Sequence, residues 1–476
     1  MILAIDQGTT GTTCLVVDSE LQVLGRGYRE LLQHFPKPGW VEHDPEEIWT
    51  GVEQAAANAL AEAGIAAREL SAIGITNQRE TTVVWERSTG RPVQRAIVWQ
   101  DRRTADRCAE LPAALIRERT GLVPDPYFSA TKLEWILGRT ELPQQELAFG
   151  TIDSWLVWKL TGGAVHATDV TNASRTLLLD IAAGAWDEEL LALFGVDPTV
   201  LPEIVPSSGV VAEASLLGAR IPVAGIAGDQ QAALFGQGCF ATGEAKATYG
   251  TGTFVLVSLG EVAGEAADGL LTTAAAVEPG ARPRFAAEGS VLVSGAALQW
   301  LRDGLGLIET AGESEQLAES VESTEGVHFV PALTGLGSPQ WRPDARGLIS
   351  GLTRGTTRAH LVRAALEAVA HQVADVVDAL PLEIQVLRAD GGASANRFLM
   401  QLQADLIGSP VEVAADPDAT GTGAAALAGL AVGTWTSRDE LAPLIRRGER
   451  YAPRMARDEV ARRRSEWHDA VRRVLL

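Results

Sequence analysis

The chain has 476 residues, enough for two domains. Hydrophobic residues make up 46% and charged residues 21%, as in a water-soluble globular protein, and the formal net charge of -21 argues against nucleic acid or an anionic membrane as partner. Its three cysteines (Cys14, Cys108, Cys239) lie far apart without metal spacing, which fits a reducing compartment. No apolar stretch approaches a membrane span and no cleavable leader precedes the first strand, so the expected location is the cytoplasm.

Ile2 to Ile5 and Thr12 to Val17 read as two strands around the turn Asp6-Gln-Gly-Thr-Thr-Gly11. Glycines and threonine hydroxyls there offer a concave row of donors suited to phosphate oxygens. Asp6, at the strand tip, is placed to face a phosphate-bound Mg2+. An ordinary glycine hairpin would have the same local sequence. Leu21 to Tyr28 predicts another strand, and the prolines and glycine of His34 to His43 predict a loop. Asp44-Pro45-Glu46-Glu47 gives a helix start, with Ile48, Val52, Ala55, Ala56 and Leu60 on its apolar face.

Strands are predicted at Leu70 to Thr76, Thr82 to Trp85 and Ala96 to Trp99. Asp101 to Glu110 reads as helix, broken by Pro112 before a further piece from Ala113 to Thr120. Ala130 to Leu137 and Asp187 to Leu193 are predicted helices, and Pro202 to Ser208 a loop. Pro222 to Ala227 is a strand, Gly228-Asp229-Gln230 a turn, and Gln231 to Gly236 the start of a helix.

The opening pattern then returns as Glu244 to Tyr249, Gly250-Thr251-Gly252 and Thr253 to Ser258. Two such hairpins about half the chain apart predict two similarly built domains facing one cleft, residues 1–238 and 239–476. Further on come Gly295 before a helix, a loop at Gly335 to Pro339, a long helix from Thr357 to about Leu380, and Asp390-Gly-Gly-Ala-Ser-Ala-Asn396 opening another helix. A strand, a glycine turn and a helix start make an anion site. Alternating strands and helices make the class α/β.

Asp229 follows an apolar strand at a helix start, where ligands of open α/β sheets gather; it could equally be a helix N-cap. Arg79 and Glu80, adjacent at a strand end, could bind a polyhydroxylated ligand or form a solvated pair. Trp99, Tyr127 and Phe254 could wall such a pocket or fill a core. The seven histidines have neither ligand spacing nor a nucleophile partner and receive no chemistry.

The combination resembles the FGGY carbohydrate kinase family, whose fold is related to actin, hexokinase and the chaperone ATPases. The matching stretches are Asp6-Gln-Gly-Thr-Thr10, Pro38-Gly-Trp-Val-Glu-His-Asp-Pro45, Ile75-Thr-Asn-Gln-Arg-Glu-Thr81, Ile97-Val-Trp99, Gly228-Asp-Gln230, Thr248-Tyr-Gly-Thr-Gly252, Gly351-Leu-Thr-Arg-Gly355 and Asp390-Gly-Gly-Ala393. They cover nearly the whole chain in the family's order.

The resemblance implies two actin/hexokinase-like (ribonuclease H-like) domains facing one catalytic cleft. Most of the substrate site and the base would lie in the first and most of the nucleotide site in the second. It implies ATP-dependent phosphorylation of glycerol with Mg2+, by a homo-oligomer (dimer or tetramer). Asp229 would be the general base beside Gln230; Arg79, Glu80 and Tyr127 would hold hydroxyls, with Trp99 and Phe254 flanking the carbon chain. Asp6 would act through Mg2+, and Thr9, Thr10 and Gly11 would meet the phosphates. Thr251, Gly295, Gln299, Gly392 and Asn396 would contact the nucleotide. A kinase for another polyol or ketose is the nearest alternative, and an actin-like or chaperone-like ATPase a more distant one.

Three departures stand out. Thr13 replaces the arginine usual after the first hairpin turn, and Gln340 and Arg342 replace a tyrosine and an aspartate before Pro343. Leu216-Leu-Gly-Ala-Arg-Ile-Pro222 lacks the longer glycine- and lysine-containing loop that binds fructose 1,6-bisphosphate in some bacterial relatives.

Overall fold

The computed structural model describes residues 1–263 and 269–476, and its class is α/β. The first of two large sheets contains β1 (Ile2–Gln7), β2 (Gly11–Val17), β3 (Val23–Glu30), β4 (Ala72–Asn77), β5 (Ser208–Leu216) and β6 (Ala219–Gly228), in the order β5-β6-β4-β1-β2-β3. The second contains β7 (Ala245–Tyr249), β8 (Thr253–Gly260), β9 (Leu271–Ala274), β10 (Phe285–Val291), β11 (Leu387–Asp390), β12 (Val411–Ala414) and β13 (Arg447–Tyr451). Its order is β9-β10-β8-β7-β11-β12-β13.

The two sheets repeat one topology. The hairpins β1–β2 and β7–β8 each carry an antiparallel strand beyond the second arm, β3 and β10. Beside the first arm lie two parallel strands, β4 and β6 in one sheet and β11 and β12 in the other. An antiparallel strand then follows in each, β5 or β13. The recurring glycine-threonine turn is thus the local trace of a repeated architecture. Helices cover both faces of β1, so its side chains are nearly all buried, which is why Ile2 to Ile5 reads as an unbroken apolar run.

Helix α1 (Pro45–Ala63) begins as the sequence predicts, with the Asp44 carboxylate accepting from Glu46 N and Pro45 in the first turn. Ile48, Val52, Ala55, Ala56 and Leu60 are buried against β2 and β3. Helix α2 (Asp229–Gly236) leaves the tip of β6 and touches β7 and β8. The long helix α3 (Arg358–Asp378) and α4 (Arg397–Ile407) back the second sheet. Helix α5 (Ala419–Ala431) reaches over to β1, β4 and β6 and crosses α2. The crossing depends on glycine: a Cβ on Gly236 would lie 2.0 Å from Ala419 O, and one on Gly423 2.0 Å from Ala232 O. Among the described residues one large apolar cluster fills the second half and two fill most of the first, and another, including Ala4, Leu15, Ala227, Phe235 and Leu427, joins the halves.

Four local expectations need correction. Asp101 to Glu110 is helical only over Ala105–Ala109, because the Asp101 carboxylate accepts from Val41 N at 2.7 Å and Arg103 N at 2.8 Å and holds the preceding residues in a turn. The strand at Ala96 stops at Ile97, since Trp99 N donates to Thr81 Oγ1 instead of to a strand partner. Pro202 to Ser208 is not all loop: Glu203–Val205 pairs in parallel with Ala167–Asp169, and Ser208 opens β5. Helix α2 starts at Asp229 itself, so Asp229 and Gln230 belong to its first turn rather than to a preceding turn.

Candidate active site

Two cavities meet between the sheets and share Gly250 and Thr251 of the β7–β8 turn. The larger, of about 800 Å³, is lined by Thr9, Arg79, Glu80, Trp99, Tyr127, Asp229, Gln230 and Phe254 among others. The smaller, of about 410 Å³, is lined by Thr251, Gly295, Gln299, Gly392 and Asn396 among others. Chain folding therefore gathers all the residues expected for the substrate in one cavity and five expected for the nucleotide in its neighbour. Asp6, Thr10 and Gly11 line neither. Thr10 is exposed, and its carbonyl accepts from Leu31 N; Gly11 is buried against the Tyr28 hydroxyl.

Arg79 and Glu80 are no solvated pair, for each side chain is only 1% exposed. Arg79 makes a fork to Glu288 on β10, at 2.6 and 3.0 Å. Its Nε faces Asp229 Oδ1 at 3.2 Å, and one terminal nitrogen reaches the Tyr127 hydroxyl at 3.4 Å. Arg175 binds Glu80 at 2.7 Å and Glu288 at 3.0 Å. Burial alone would raise the Glu288 pKa, but Arg175 and Arg79 overcome it and hold the carboxylate at about 2. Glu80 adopts a left-handed backbone (φ 63°), costly for a non-glycine residue and held by Ser129 Oγ and Lys132 Nζ on its carbonyl. Lys132, buried, also clamps the carbonyls of Tyr127 and Phe128.

The Asp229 side chain does not cap its helix; it keeps 31% exposure toward the cleft. Oδ1 accepts from Gln230 N at 2.8 Å and Oδ2 from Gln230 Nε2 at 3.1 Å. Across the cavity Trp99 stands edge-on to Tyr127, ring centroids 5.4 Å apart, and 6.4 Å from Phe254. The Trp99 indole donates to Thr9 Oγ1 at 2.9 Å, linking the aromatic wall to the first hairpin. Gln78 strengthens that link through Gln7 Oε1 at 3.0 Å and Gly8 O at 3.2 Å.

Asp6 is half-buried on the same edge of the sheet. Burial, with Asp229 nearby, pushes its pKa up to about 7 against Arg26. Such a carboxyl gains from a cation. Among the described residues no cluster of three or more acidic, histidine or cysteine side chains could cage a metal. A lone carboxylate suits Mg2+, which keeps several waters and is commonly held by only one or two protein carboxylates.

At the second cavity Gly391 has φ 86°, and a Cβ there would fall 2.5 to 2.9 Å from Tyr249 backbone atoms, so this turn demands glycine. The chain then makes a 3-10 turn (Gly392–Ala395) and enters α4, capped by Asn396 Oδ1 on Leu399 N at 2.9 Å.

Glu288, Arg175 and Lys246 were not anticipated from the sequence. The available signal was a lone charge in a run of small and apolar residues, as in Phe285-Ala-Ala-Glu-Gly-Ser-Val291 and Ala245-Lys-Ala247. Such a charge in a buried strand requires a partner.

Comparison with known proteins adds independent findings. The N-terminal domain of the FGGY family of carbohydrate kinases matches residues 1–236, and the C-terminal domain of that family matches residues 245–432. A protein named glycerol kinase from Dechloromonas aromatica is 53% identical over 489 residues, spanning 100% of this chain and 97% of its own. Among solved structures, a Plasmodium falciparum glycerol kinase with ADP superposes with a TM-score of 0.93 at 38% identity, covering 100% of this chain and 98% of that one. A xylulose kinase from Brucella ovis superposes with a TM-score of 0.87 at 26% identity, covering 99% and 97%.

Proposed function

From the premise that the chain belongs to the FGGY family of carbohydrate kinases, we propose that it transfers the terminal phosphoryl group of ATP to glycerol. The product is sn-glycerol 3-phosphate, and the reaction opens glycerol catabolism. The observation that carries this reading is likeness along the whole chain to relatives named glycerol kinase, about twice as strong in identity as the likeness to the xylulose kinase. The aromatic-walled cavity beside Asp229 supports it.

In this mechanism Arg79, Glu80 and Tyr127 hold the hydroxyls of glycerol, and Trp99 and Phe254 pack against its carbon chain. The Glu288 fork leaves only the Nε edge of Arg79 aimed at Asp229, which fixes both groups toward the cleft. Asp229 takes the proton of the terminal hydroxyl while that oxygen bonds to the γ-phosphorus and the bond to the ADP oxygen breaks. Thr9 on one hairpin and Thr251 on the other face the phosphates, and Gly295, Gln299, Gly392 and Asn396 line the place of the nucleoside. Asp6 would hold Mg2+, which neutralises phosphate charge when bound. Closure of the two halves, divided near Gly238, would keep water from the phosphoryl group.

A coupled assay of ADP release with glycerol, xylulose, ribulose and gluconate tests the proposal. Glycerol should give the highest kcat/KM. A five-carbon sugar outperforming it would move the assignment to another polyol or ketose kinase, and absence of turnover with all four would favour an ATPase of the actin or chaperone kind.

A further inference from the structure

Lys246 is a buried cation without a part in the mechanism above. It lies within β7, its side chain fully out of solvent. Its Nζ donates to Gln230 Oε1, and to Thr248 Oγ1 at 2.9 Å. Gln230 turns its Nε2 to Asp229 Oδ2 at 3.1 Å. An amide whose oxygen is held by an ammonium has only its NH2 group left for a carboxylate. Lys246 therefore decides which end of Gln230 meets Asp229.

On the other side, Thr248 stands opposite Asp390 in the parallel β7–β11 register, and the buried Asp390 carboxyl acts on the Lys246 ammonium through its charge. Asp390 opens the turn of Gly391 and Gly392, and Gly392 lines the smaller cavity. A row of hydrogen-bonded groups, Asp229–Gln230–Lys246–Thr248, thus runs from the larger cavity to the strand position opposite Asp390, beside the smaller one.

We propose that Lys246 is a positioning residue for phosphoryl transfer: its ammonium fixes Gln230 in the orientation that serves Asp229 and ties that carboxylate to the nucleotide side of the cleft. This rests on the reading of Asp229 as the base. The charged groups facing Lys246 are Asp390 on β11, Asp229 on α2, Arg79 beyond β4 and Glu288 on β10. Burial lowers the Lys246 pKa to about 8, against Asp390 and Asp229, which raise it. The ammonium, and with it the orientation of Gln230, is lost as pH rises through that value.

The experiment measures kcat and kcat/KM for glycerol from about pH 6 to about pH 10 in the wild type and in Lys246→Met. The wild type should lose kcat/KM with a one-proton limb near pH 8. Lys246→Met should lack that limb and show kcat lower by about 10- to 100-fold, with glycerol KM within about threefold. A flat wild-type profile overturns the proposal without any variant, should Lys246→Met fail to fold. A folded Lys246→Met with kcat within about twofold of wild type overturns it as well. So does an alkaline limb surviving in that variant, which would belong to another group such as the buried Lys132, also lowered to about 8. Absence of glycerol turnover in the wild type would instead remove the functional reading, and this inference with it.

Discussion

Replacing Asp229 with asparagine separates its proposed role as base from its place in the scaffold. In the wild type Oδ1 lies 3.2 Å from Arg79 Nε as an ion pair and accepts from Gln230 N at 2.8 Å. Asparagine keeps the volume, and its carbonyl oxygen can retain both contacts. Its NH2 group then confronts the NH2 group of Gln230, which cannot turn over without abandoning Lys246. A charge-assisted bond contributes about 1.5–3 kcal/mol. The low end applies because the carboxylate is 31% exposed and Arg79 keeps its fork to Glu288. Loss of the base should cost roughly 10²–10⁴ in kcat, about 3–5 kcal/mol of barrier. ADP release coupled to NADH oxidation reads kcat, glycerol titration reads affinity, and a thermal melt verifies folding. The expected result is that fall in kcat with glycerol affinity changed by less than about tenfold. A folded variant with near-normal kcat would refute the reasoning and leave Asp229 as a structural partner of Arg79.

Glu288→Gln should be more damaging to stability, because it leaves two buried arginines short of a carboxylate; the expected loss is about 3–5 kcal/mol by urea denaturation. With its folded pKa near 2 and an ordinary value of 4.5, Glu288 contributes stability that is full above 4.5 and lost as pH falls through 2. The acid dependence of unfolding across that window should therefore shrink in the variant, and an unchanged dependence would refute the pairing. Thr13 lies opposite Asp6 and Tyr28 in the sheet register, so Thr13→Arg should bring a cation to the Asp6 face and improve kcat or ATP KM by less than about tenfold. Inactivation would mean that the turn is built around a small residue. The β5–β6 connection is only Leu217 and Gly218, both at positive φ, and Arg220 is paired with Glu213. Fructose 1,6-bisphosphate should therefore leave the initial rate unchanged; strong inhibition would reveal a basic site elsewhere.

Features whose cause is local were legible in the sequence. The Asp44–Pro45 helix start depends on a carboxylate two residues from its donor, and the left-handed turn at Gly391 on backbone sterics at that residue; both act within a few residues. The order of the two glycine-threonine turns along the chain also indicated a repeated α/β architecture. Which charges meet was decided by tertiary structure. Arg79 and Glu288 are 209 residues apart in sequence, and Arg175 lies 95 from Glu80, so no local pattern announced the pairs. The sequence left Arg79 and Glu80 open between a ligand site and a solvated pair, and left Asp229 open between reactive group and helix cap. Packing of the two sheets across α2 and α5 resolved their surroundings by burying the arginines, bringing Glu288 to them and turning the Asp229 carboxylate into the cleft. Desolvation makes an unpaired buried charge too costly to persist, and that nonlocal constraint is what the folded chain satisfies and a linear reading cannot.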